Sequence, residues 1–599
     1  MNNNYYLKTK VFCHMSKINS ILYCTIGLSL AVLIAILAGT DLRFDRRSLQ
    51  QTTTNYQTAT YEFTKPALAK KVLSLLDVFT PLDEKYFTNK RGDSKKRYNA
   101  PFYGLKTDEE YCEKHRAHFV NHPESVFNEA NIFTVRPPSA LIRRVVVPAI
   151  GSDPMPHVGS HMGKANTQKS LYIQKRNVSV FFTATSMYES REIGSQFSCL
   201  SQASNHIPGH DTLNRKDFVA ENVIAYAKKF QDRPQCFSYD KFFPETWVLY
   251  NKEDCDAFFK IFNSEQYKAA KQAKRIVYIR KVGSGSHRGQ GVQPVNDEEE
   301  ADLRTIYANG EKCGIVKKNY IIQDYVANPL LLHGRKFDFR MYMLVASSNP
   351  VMAFYHDGFL RVSLSSYDVN SDDKSVLMTN LALSGHYYDQ AKEGNLHQGM
   401  DEEALKVAQQ WSFERLHIYL MQEGIVTDPN WLDNYLRPEF KKAMAHLLRL
   451  GSHSWWRDSS LYELYGVDFM LDTNLNLWFL EANSGPGLDG YSVPMEKHIV
   501  GMLKDHFEIV LGLLRSRMKR VVLYVNDLIE AGGVTKLVNG EIEIPNLEAR
   551  RAEFKNIIKN YFEKEYEPKP TNGFSKIMDE NLEGMDRYQG LIAEECLAY

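Results

Sequence analysis

The stretch from Leu461 to Gly490, LYELYGVDFMLDTNLNLWFLEANSGPGLDG, constrains the fold more than any other part of the chain. Apolar runs at Tyr465–Leu471 and Leu477–Ala482 flank DTNLN, a turn-forming set, and the pattern predicts a β-hairpin. With Asn474-Leu475 at the turn centre, Asp468 faces Glu481 and Met470 faces Phe479. Asn483, two residues beyond Glu481, points to the same side because side chains alternate along a strand. Two carboxylates about 4 Å apart repel by roughly 1–4 kcal/mol, and like charges directly opposite destabilise a sheet. A cation turns that cost into a site. Two carboxylates and an amide oxygen are hard ligands suited to Mg²⁺, with phosphate oxygens and water completing its shell. A solvated acidic hairpin is the competing reading. Trp478, Phe479 and Leu480 argue against it, because Glu481 then ends a buried strand.

A chain of 599 residues buries a large core and divides into more than one domain. Its formal charge of +1 gives no global reason to expect nucleic acid, so charge steering falls to local patches. The 8 cysteines include no CxxC pair and no zinc-like spacing to histidine. Cys13 and Cys24 lie before or within an apolar segment, while Cys112, Cys199, Cys236, Cys255, Cys313 and Cys596 are scattered and leave the redox compartment open.

Residues 1–17 form a short N-terminal tail. Ile18–Gly39 carries no charge and as a helix spans about 33 Å, enough to cross a bilayer core. A cleaved signal peptide competes, but the apolar run is long and the site near Ala38-Gly39-Thr40 is a poor match to small-x-small. The expectation is a single-pass membrane protein anchored through 18–39. Its orientation is open, since Lys8, Lys10 and Lys17 precede the segment and Arg43, Arg46 and Arg47 follow. Residues 40–170 read as a polar stalk (Leu49–Thr60) and an N-terminal region. His157 and His161 in its GSDPMPHVGSHMGKAN loop lack a third ligand nearby. Asn177-Val178-Ser179 is a glycosylation sequon in a strand-like run and decides nothing.

From about 171 to 515 strands alternate with helices, giving a mixed α/β (α+β) region. Amphipathic helices are expected at 215–230, 401–424 and 438–451. Beyond 515, RSRMKR leads into strand-like VVLYV and then a charged, mostly helical extension over 516–599. The basic patch of Arg515, Arg517, Lys519 and Arg520 reads either as a contact for an acidic acceptor or as a solvated helix end.

Three further stretches carry chemistry. KVGSGSHRGQGV (281–292) permits close backbone approach to an anion, with Arg280, Lys281 and Arg288 as cations and Gly289 and Gly291 among its glycines. It is neither a P-loop nor a Rossmann fingerprint. YIIQDYV (320–326) offers a strand edge for a flat base, with Gln323 as donor and acceptor. In RKFDFRMYMLV (335–345), Lys336, Asp338, Arg340 and Tyr342 alternate with apolar residues, so one face is charged. Arg361 recurs in the next strand-like run, and two arginines on neighbouring strands hold phosphate or carboxylate bidentately. A structural ion pair at Asp338 is the bland alternative. Thr379-Asn380 orients a substrate or simply caps a loop. No nucleophile with a partnered base stands out, which favours direct phosphoryl transfer by positioning and electrostatics.

In this order, IIQDYVANPLLLHGRKFDFRMYMLV, HDGFLRVSLSSYD, LMTN and ELYGVDFML…LWFLEANSGPGL resemble the tubulin–tyrosine ligase-like family of ATP-grasp ligases. NHIPGHDTLNRKD (205–217) is similar to the family's Asn…Leu-x-Arg-Lys-Asp segment. The resemblance covers about 171–515. It implies two α+β lobes gripping ATP between antiparallel sheets, with a carboxylate activated as an acyl phosphate and then joined to an amino acid's amine. Carried over by position, it puts Gln323 and Tyr325 at adenine, and Lys336, Asp338 and Arg340 at the phosphates and the tetrahedral intermediate. Arg361 goes to the acidic acceptor or the amino acid, and Thr379 and Asn380 to a matching segment. Asp468, Glu481 and Asn483 become the Mg²⁺ ligands. Arg280-Lys281 replaces the family's Lys-Pro, Asp324 stands where a basic residue is common, and Leu377 replaces a histidine. The expected function is an ATP- and Mg²⁺-dependent ligase adding glutamate, glycine or tyrosine to a protein carboxylate, tubulin leading among acceptors. The alternatives are an inactive nucleotide- or microtubule-binding member and a ligase for a secretory-pathway protein.

Overall fold

The computed structural model describes residues 72, 75, 76, 132–134, 180–182 and, with breaks, 203–597; the breaks are 208, 239–241, 274–275, 284–290, 372–373, 378, 380–401, 456, 458, 489–491, 537–541 and 560–566. All described residues belong to one compact unit, 61–599. Three short strands, β1 (Ile132–Thr134), β2 (Val180–Phe182) and β3 (Ala203–Asn205), pair in parallel. Helix α1 (Lys216–Lys229) follows, with Asp217 in its first turn and Lys228 and Lys229 in its last, complementing the helix dipole.

A small lobe comes next: β4 (Thr246–Val248), α2 (Lys252–Phe262), β5 (Tyr278–Val282), β6 (Val292–Pro294), α3 (Asp297–Tyr307) and β7 (Tyr320–Asp324). Its antiparallel sheet runs β4-β7-β5-β6. Asn251 and Asn296 cap α2 and α3 by accepting backbone N–H groups of their first turns. Aromatic residues fill the core, among them Trp247, Phe258, Phe262, Tyr278 and Tyr307. A disulfide, Cys255–Cys313, crosses it and closes a loop of sequence separation 58. In the chain-entropy account such a bridge stabilises the lobe by about 4 kcal/mol.

The large lobe contains β8 (Leu331–Leu332), β9 (Arg335–Ser348), β10 (Val351–Val362), β11 (Gln410–Trp411), α4 (Arg437–Gly451), β12 (Leu461–Leu471), β13 (Leu477–Asn483) and α5 (Val493–Glu530). Then come β14 (Thr535–Lys536), β15 (Ile542–Glu543), α6 (Leu547–Lys559) and β16 (Phe574–Asp579). The main sheet runs β1-β2-β3-β12-β9-β10-β11, with β13 added to β12, β8 to β9 and β16 to β10. It is antiparallel except at the edge where β1, β2, β3 and β12 meet in parallel. Odd residues of β9, from Phe337 to Val345, enter a core shared with α1 and α4. On the opposite face Tyr342, Leu344 and Ala346 pack with Ile499, Leu503 and Phe507 of α5. The alternation therefore resolves into a charged stretch (Lys336, Asp338, Arg340) that becomes apolar further along the same face.

Several expectations change. The helix expected over 401–424 is two helices, Glu402–Ala408 and Phe413–Gln422, because Gln410 and Trp411 pair with Arg361 and Leu360 at the sheet edge. VVLYV is helical, part of α5, with Val521 and Val525 buried. Arg517 is buried too, its guanidinium donating to Ser459, so it is no solvated helix end. Residues 516–599 include strands as well as helix, and β16 extends the main sheet. The expectation of a single-pass membrane protein is corrected: among the described residues no helix is long and apolar enough to cross a membrane. Residues 18–39, the stalk, the His157–His161 loop and the Asn177 sequon lie outside the described residues.

The hairpin forms, with a change of register inside it. Gly466–Asp468 pair with Asn483–Glu481 as expected, but beyond a bulge Phe469 faces Phe479 and Met470 faces Trp478 rather than Phe479. The connection is a five-residue loop, Asp472–Asn476, in which Leu475 takes a positive φ of 64°. Asp472 organises it: its carboxylate accepts from the backbone N–H of Asn474 and Asn476 (2.9 Å each) and from the Asn476 amide and Trp478 indole (3.0 and 3.1 Å). Replacing Asp472 with Ala strands these donors, and the expected loss is about 2–3 kcal/mol in urea unfolding, each unmet donor costing of order 1 kcal/mol. A loss below about 0.5 kcal/mol would show that another group fixes the turn.

Candidate active site

Four adjacent strands carry a charged lattice. Across the sheet Glu481 (β13), Asp468 (β12) and Arg340 (β9) stand in register, and Arg361 (β10) faces Asp338 (β9). Arg340 grips Asp468 with two bonds, Nε to Oδ1 (2.5 Å) and Nη2 to Oδ2 (3.1 Å). Arg361 donates to Asp338 (2.6 Å) and, across β9, to Asp468 (2.8 Å). Thr379 donates its hydroxyl to the other oxygen of Asp338. Burial pushes the Asp338 carboxyl up while Arg361 pulls against it. Burial alone would lower Arg361, but Asp338 and Asp468 more than offset this and raise it. Gly466 leaves room for the arginine: a Cβ there would lie 2.8 Å from Pro486 Cβ and 3.1 Å from Arg340 Cδ.

Glu481 takes a different partner, Lys216 at the start of α1 (2.9 Å), and accepts from the Asn483 amide (3.1 Å). Lys216, with burial opposing it, holds the Glu481 carboxyl well below the usual carboxylate range. The two facing carboxylates of the hairpin are thus each neutralised by cations from outside it. Arg215 and the fully buried Asp217 form a two-bond pair (2.6 and 3.1 Å) that pins the helix start on either side of Lys216. Lys216 received no role from the sequence, although its Arg-Lys-Asp segment stood out there.

In the small lobe, neighbouring strand residues separate. Arg280 pairs with Glu299 of α3 and lies over the Tyr320 ring. Lys281 points the other way, is buried, and donates to Gln323 (2.6 Å), whose amide donates to Thr246 (2.8 Å). Lys216, Lys281, Gln323 and Glu481 line one cleft between the lobes, walled by Phe243 and Phe479. Burial lowers Lys281 to about 8, helped by Lys216 and opposed by Glu481. Lys336, also buried, donates to the Leu377 carbonyl (2.9 Å) and the Tyr325 hydroxyl (3.2 Å), and burial lowers it to about 7. Because the contact at 377 is a main-chain carbonyl, leucine in place of histidine leaves it intact.

The structure therefore brings together Asp338, Arg340, Arg361, Thr379 and Asp468, then Glu481 with Asn483, Lys281 with Gln323, and Lys336 with Tyr325. Arg280 stands apart. Gly291 sits at the base of the β5–β6 hairpin, where its carbonyl accepts from Val282 (2.8 Å). Arg288, Gly289 and Asn380 lie outside the described residues. Among the described residues no group of three or more His, Cys, Asp or Glu side chains is placed to hold a metal.

A two-lobed fold of helices and antiparallel sheet, with an arginine–carboxylate lattice on one sheet and its neighbouring carboxylate Glu481 in a cleft, defines a class to which known proteins compare directly. The tubulin-tyrosine ligase family model matches residues 195–518, over half of the 599, and the chain belongs to that family. It is 29% identical over 361 residues to protein polyglycylase TTLL10 of Macaca fascicularis (58% of this chain, 54% of the relative). It is 30% identical over 336 residues to the human protein named inactive polyglycylase TTLL10 (53% and 46%). The probable tubulin polyglutamylase TTLL9 of Bos taurus is 28% identical over 352 residues (53% and 70%). The chain spans about half the length of the two TTLL10 relatives.

Lys216→Met tests the Lys216–Glu481 pair. Glu481 has a lowered pKa in the folded state, so its contribution to stability is present above the ordinary carboxylate range and lost as pH falls through the folded value. The variant is expected to be less stable than the parent by about 1 kcal/mol at pH 7, with the gap closing at acid pH. A gap unchanged between pH 7 and pH 3 rules out the ion pair as its cause.

Proposed function

We propose that this chain is an ATP- and Mg²⁺-dependent ligase that joins an amino acid to a protein carboxylate. One observation carries the reading. Each carboxylate of the lattice has a cation, with Arg340 and Arg361 on Asp468 and Asp338, and Lys216 on Glu481. Lys281 and Lys336 are buried beside them with neutral hydrogen-bond partners and no ion pair among the described residues. The carboxylates nearest to them, Glu481 and Asp338, are already bonded to Lys216 and Arg361, so these buried cations are costly, and a polyphosphate is an anion that suits two of them. Asp468 and Glu481 would hold Mg²⁺ through carboxylate oxygens that Arg340, Arg361 and Lys216 occupy here, so the metal would have to displace some of those bonds. Asn483 gives its N–H to Glu481 and keeps its oxygen for a metal.

Bound MgATP supplies the phosphoryl group that makes an acceptor carboxylate reactive toward an amine. In this reading Gln323 and Tyr325 flank the base and Lys281 and Lys336 hold phosphates. Arg340 and Arg361 stabilise charge on the reacting carboxylate, and Thr379 with Asn380 positions it. The names of the TTLL10 relatives point to glycine as the added amino acid and to a protein acceptor; that of the bovine relative points to glutamate and tubulin.

Asp468→Asn and Glu481→Gln are each expected to reduce ADP release, measured with acidic acceptor peptides and mixed amino acids, by at least about a hundredfold, with a cooperative melting transition retained, Asp468→Asn at a lower temperature because its two arginines lose their counter-charge. Nucleotide binding without ADP release in the unmutated protein instead supports the inactive reading, the state in the human relative's name. The lysines add a pH signature. With pKa values lowered to about 8 and 7, they lose charge as pH rises through that window. ATP affinity by calorimetry is expected to fall by up to about tenfold per pH unit per lysine above pH 7. Binding at pH 8 should take up protons. Affinity that is flat from pH 6.5 to 9 removes both lysines from the phosphate site.

A further inference from the structure

Four cysteines that look unrelated in the sequence meet in pairs. Cys255 and Cys313 are bridged inside the small lobe, with Cα atoms 5.6 Å apart. Cys236 and Cys596 are bridged across a sequence separation of 360, with Cα atoms 5.3 Å apart. All four residues are buried. The second bridge does not stand alone. The segment that carries Cys596 is docked independently by β16 on β10, by Arg449 donating to the Cys596 carbonyl (2.6 Å) and by Arg233 donating to the Glu595 carbonyl (2.7 Å). None of the four cysteines lines the cleft that holds Lys216, Lys281 and Glu481. Buried and outside the cleft lining, the four cysteines fit structural bridges rather than the exposed, transient kind found in reducing compartments.

We infer that the catalytic unit is built for an oxidising compartment, and that its acceptor is a protein carboxylate displayed there rather than tubulin, a cytosolic polymer. The inference rests on the ligase reading for its acceptor half and on the two bridges for its compartment half. Each bridge forms when two thiols lose two protons and two electrons to the disulfide of an exchange partner, which leaves as a dithiol. Such oxidants act in oxidising compartments, and two buried structural bridges in separate lobes are what a chain folded there retains.

The test uses the full chain isolated from the cells that make it, quenched with acid and N-ethylmaleimide before lysis. Non-reducing digestion and mass spectrometry are expected to show peptides of Cys236 linked to Cys596 and of Cys255 linked to Cys313, with no alkylation at these positions. Alkylation of either pair overturns the compartment assignment, whatever the enzyme does. ADP release and transfer of labelled glycine or glutamate are measured on the same preparation. Label on purified tubulin, with none on secreted or other disulfide-bearing proteins, overturns the acceptor assignment while leaving the ligase standing. A bridged protein that binds ATP and releases no ADP overturns the ligase reading and the acceptor half with it, and leaves the compartment half supported.

Discussion

Arg361 holds the large lobe in electrostatic register. From β10 it bonds Asp338 on the neighbouring strand and reaches beyond it to Asp468 on β12, which Arg340 grips from the strand between. Removing such groups from water costs several kcal/mol per ion, and attraction repays this only with close geometry and every remaining hydrogen bond met. Apolar residues would make the same three strands cohere at no such cost. An alternating ionic lattice in a sheet otherwise filled by Phe337, Phe339 and Met341 therefore makes sense as a place where charge is to be handled. Its position, one strand from the hairpin carboxylate Glu481, ties the fold of the sheet to the chemistry of the cleft.

The lobes meet through a smaller set of contacts. Asp217, locked to Arg215, fixes the start of α1 so that Lys216 reaches Glu481 from outside the hairpin. A Cβ at Gly283 would fall 2.4 Å from the Asp217 carboxyl carbon, so glycine there lets the end of β5 close on the same helix start. Lys281, one turn of strand alternation from Arg280, is thereby set into the cleft while Arg280 serves α3.

Much of this was legible in the sequence, and the misses have physical causes. Alternation in β9 showed which residues share the charged face, and the hairpin pattern paired Asp468 with Glu481. The bulge was invisible because two departures cancel at the site: a five-residue loop shifts the register by one and the extra residue near Leu480 restores it. Val521, Tyr524, Val525 and Leu528 repeat with helical spacing, a signal for α5 that the β-branched run VVLYV obscured. The break at Gln410–Trp411 is a tertiary effect, since only the exposed edge of β10 makes a strand there worthwhile. The cysteine pairs have no local signature, because partners 58 and 360 residues apart are brought together by the fold alone. Lys216 was hidden for another reason: a lysine at a helix start is an ordinary residue until its carboxylate partner is seen.

The pairing of β16 with β10 also sets a timetable. His356 faces Phe574, so half of the β10 edge waits for a partner made roughly 200 residues later. At a synthesis rate of about 5–20 residues per second, that is roughly 10–40 s during which Met352–His356 present an open, apolar sheet edge. A nascent chain of this protein therefore leaves that edge open until β16 is made, and translation stalled before β16 leaves a lobe with its charged strands complete and its sheet unfinished.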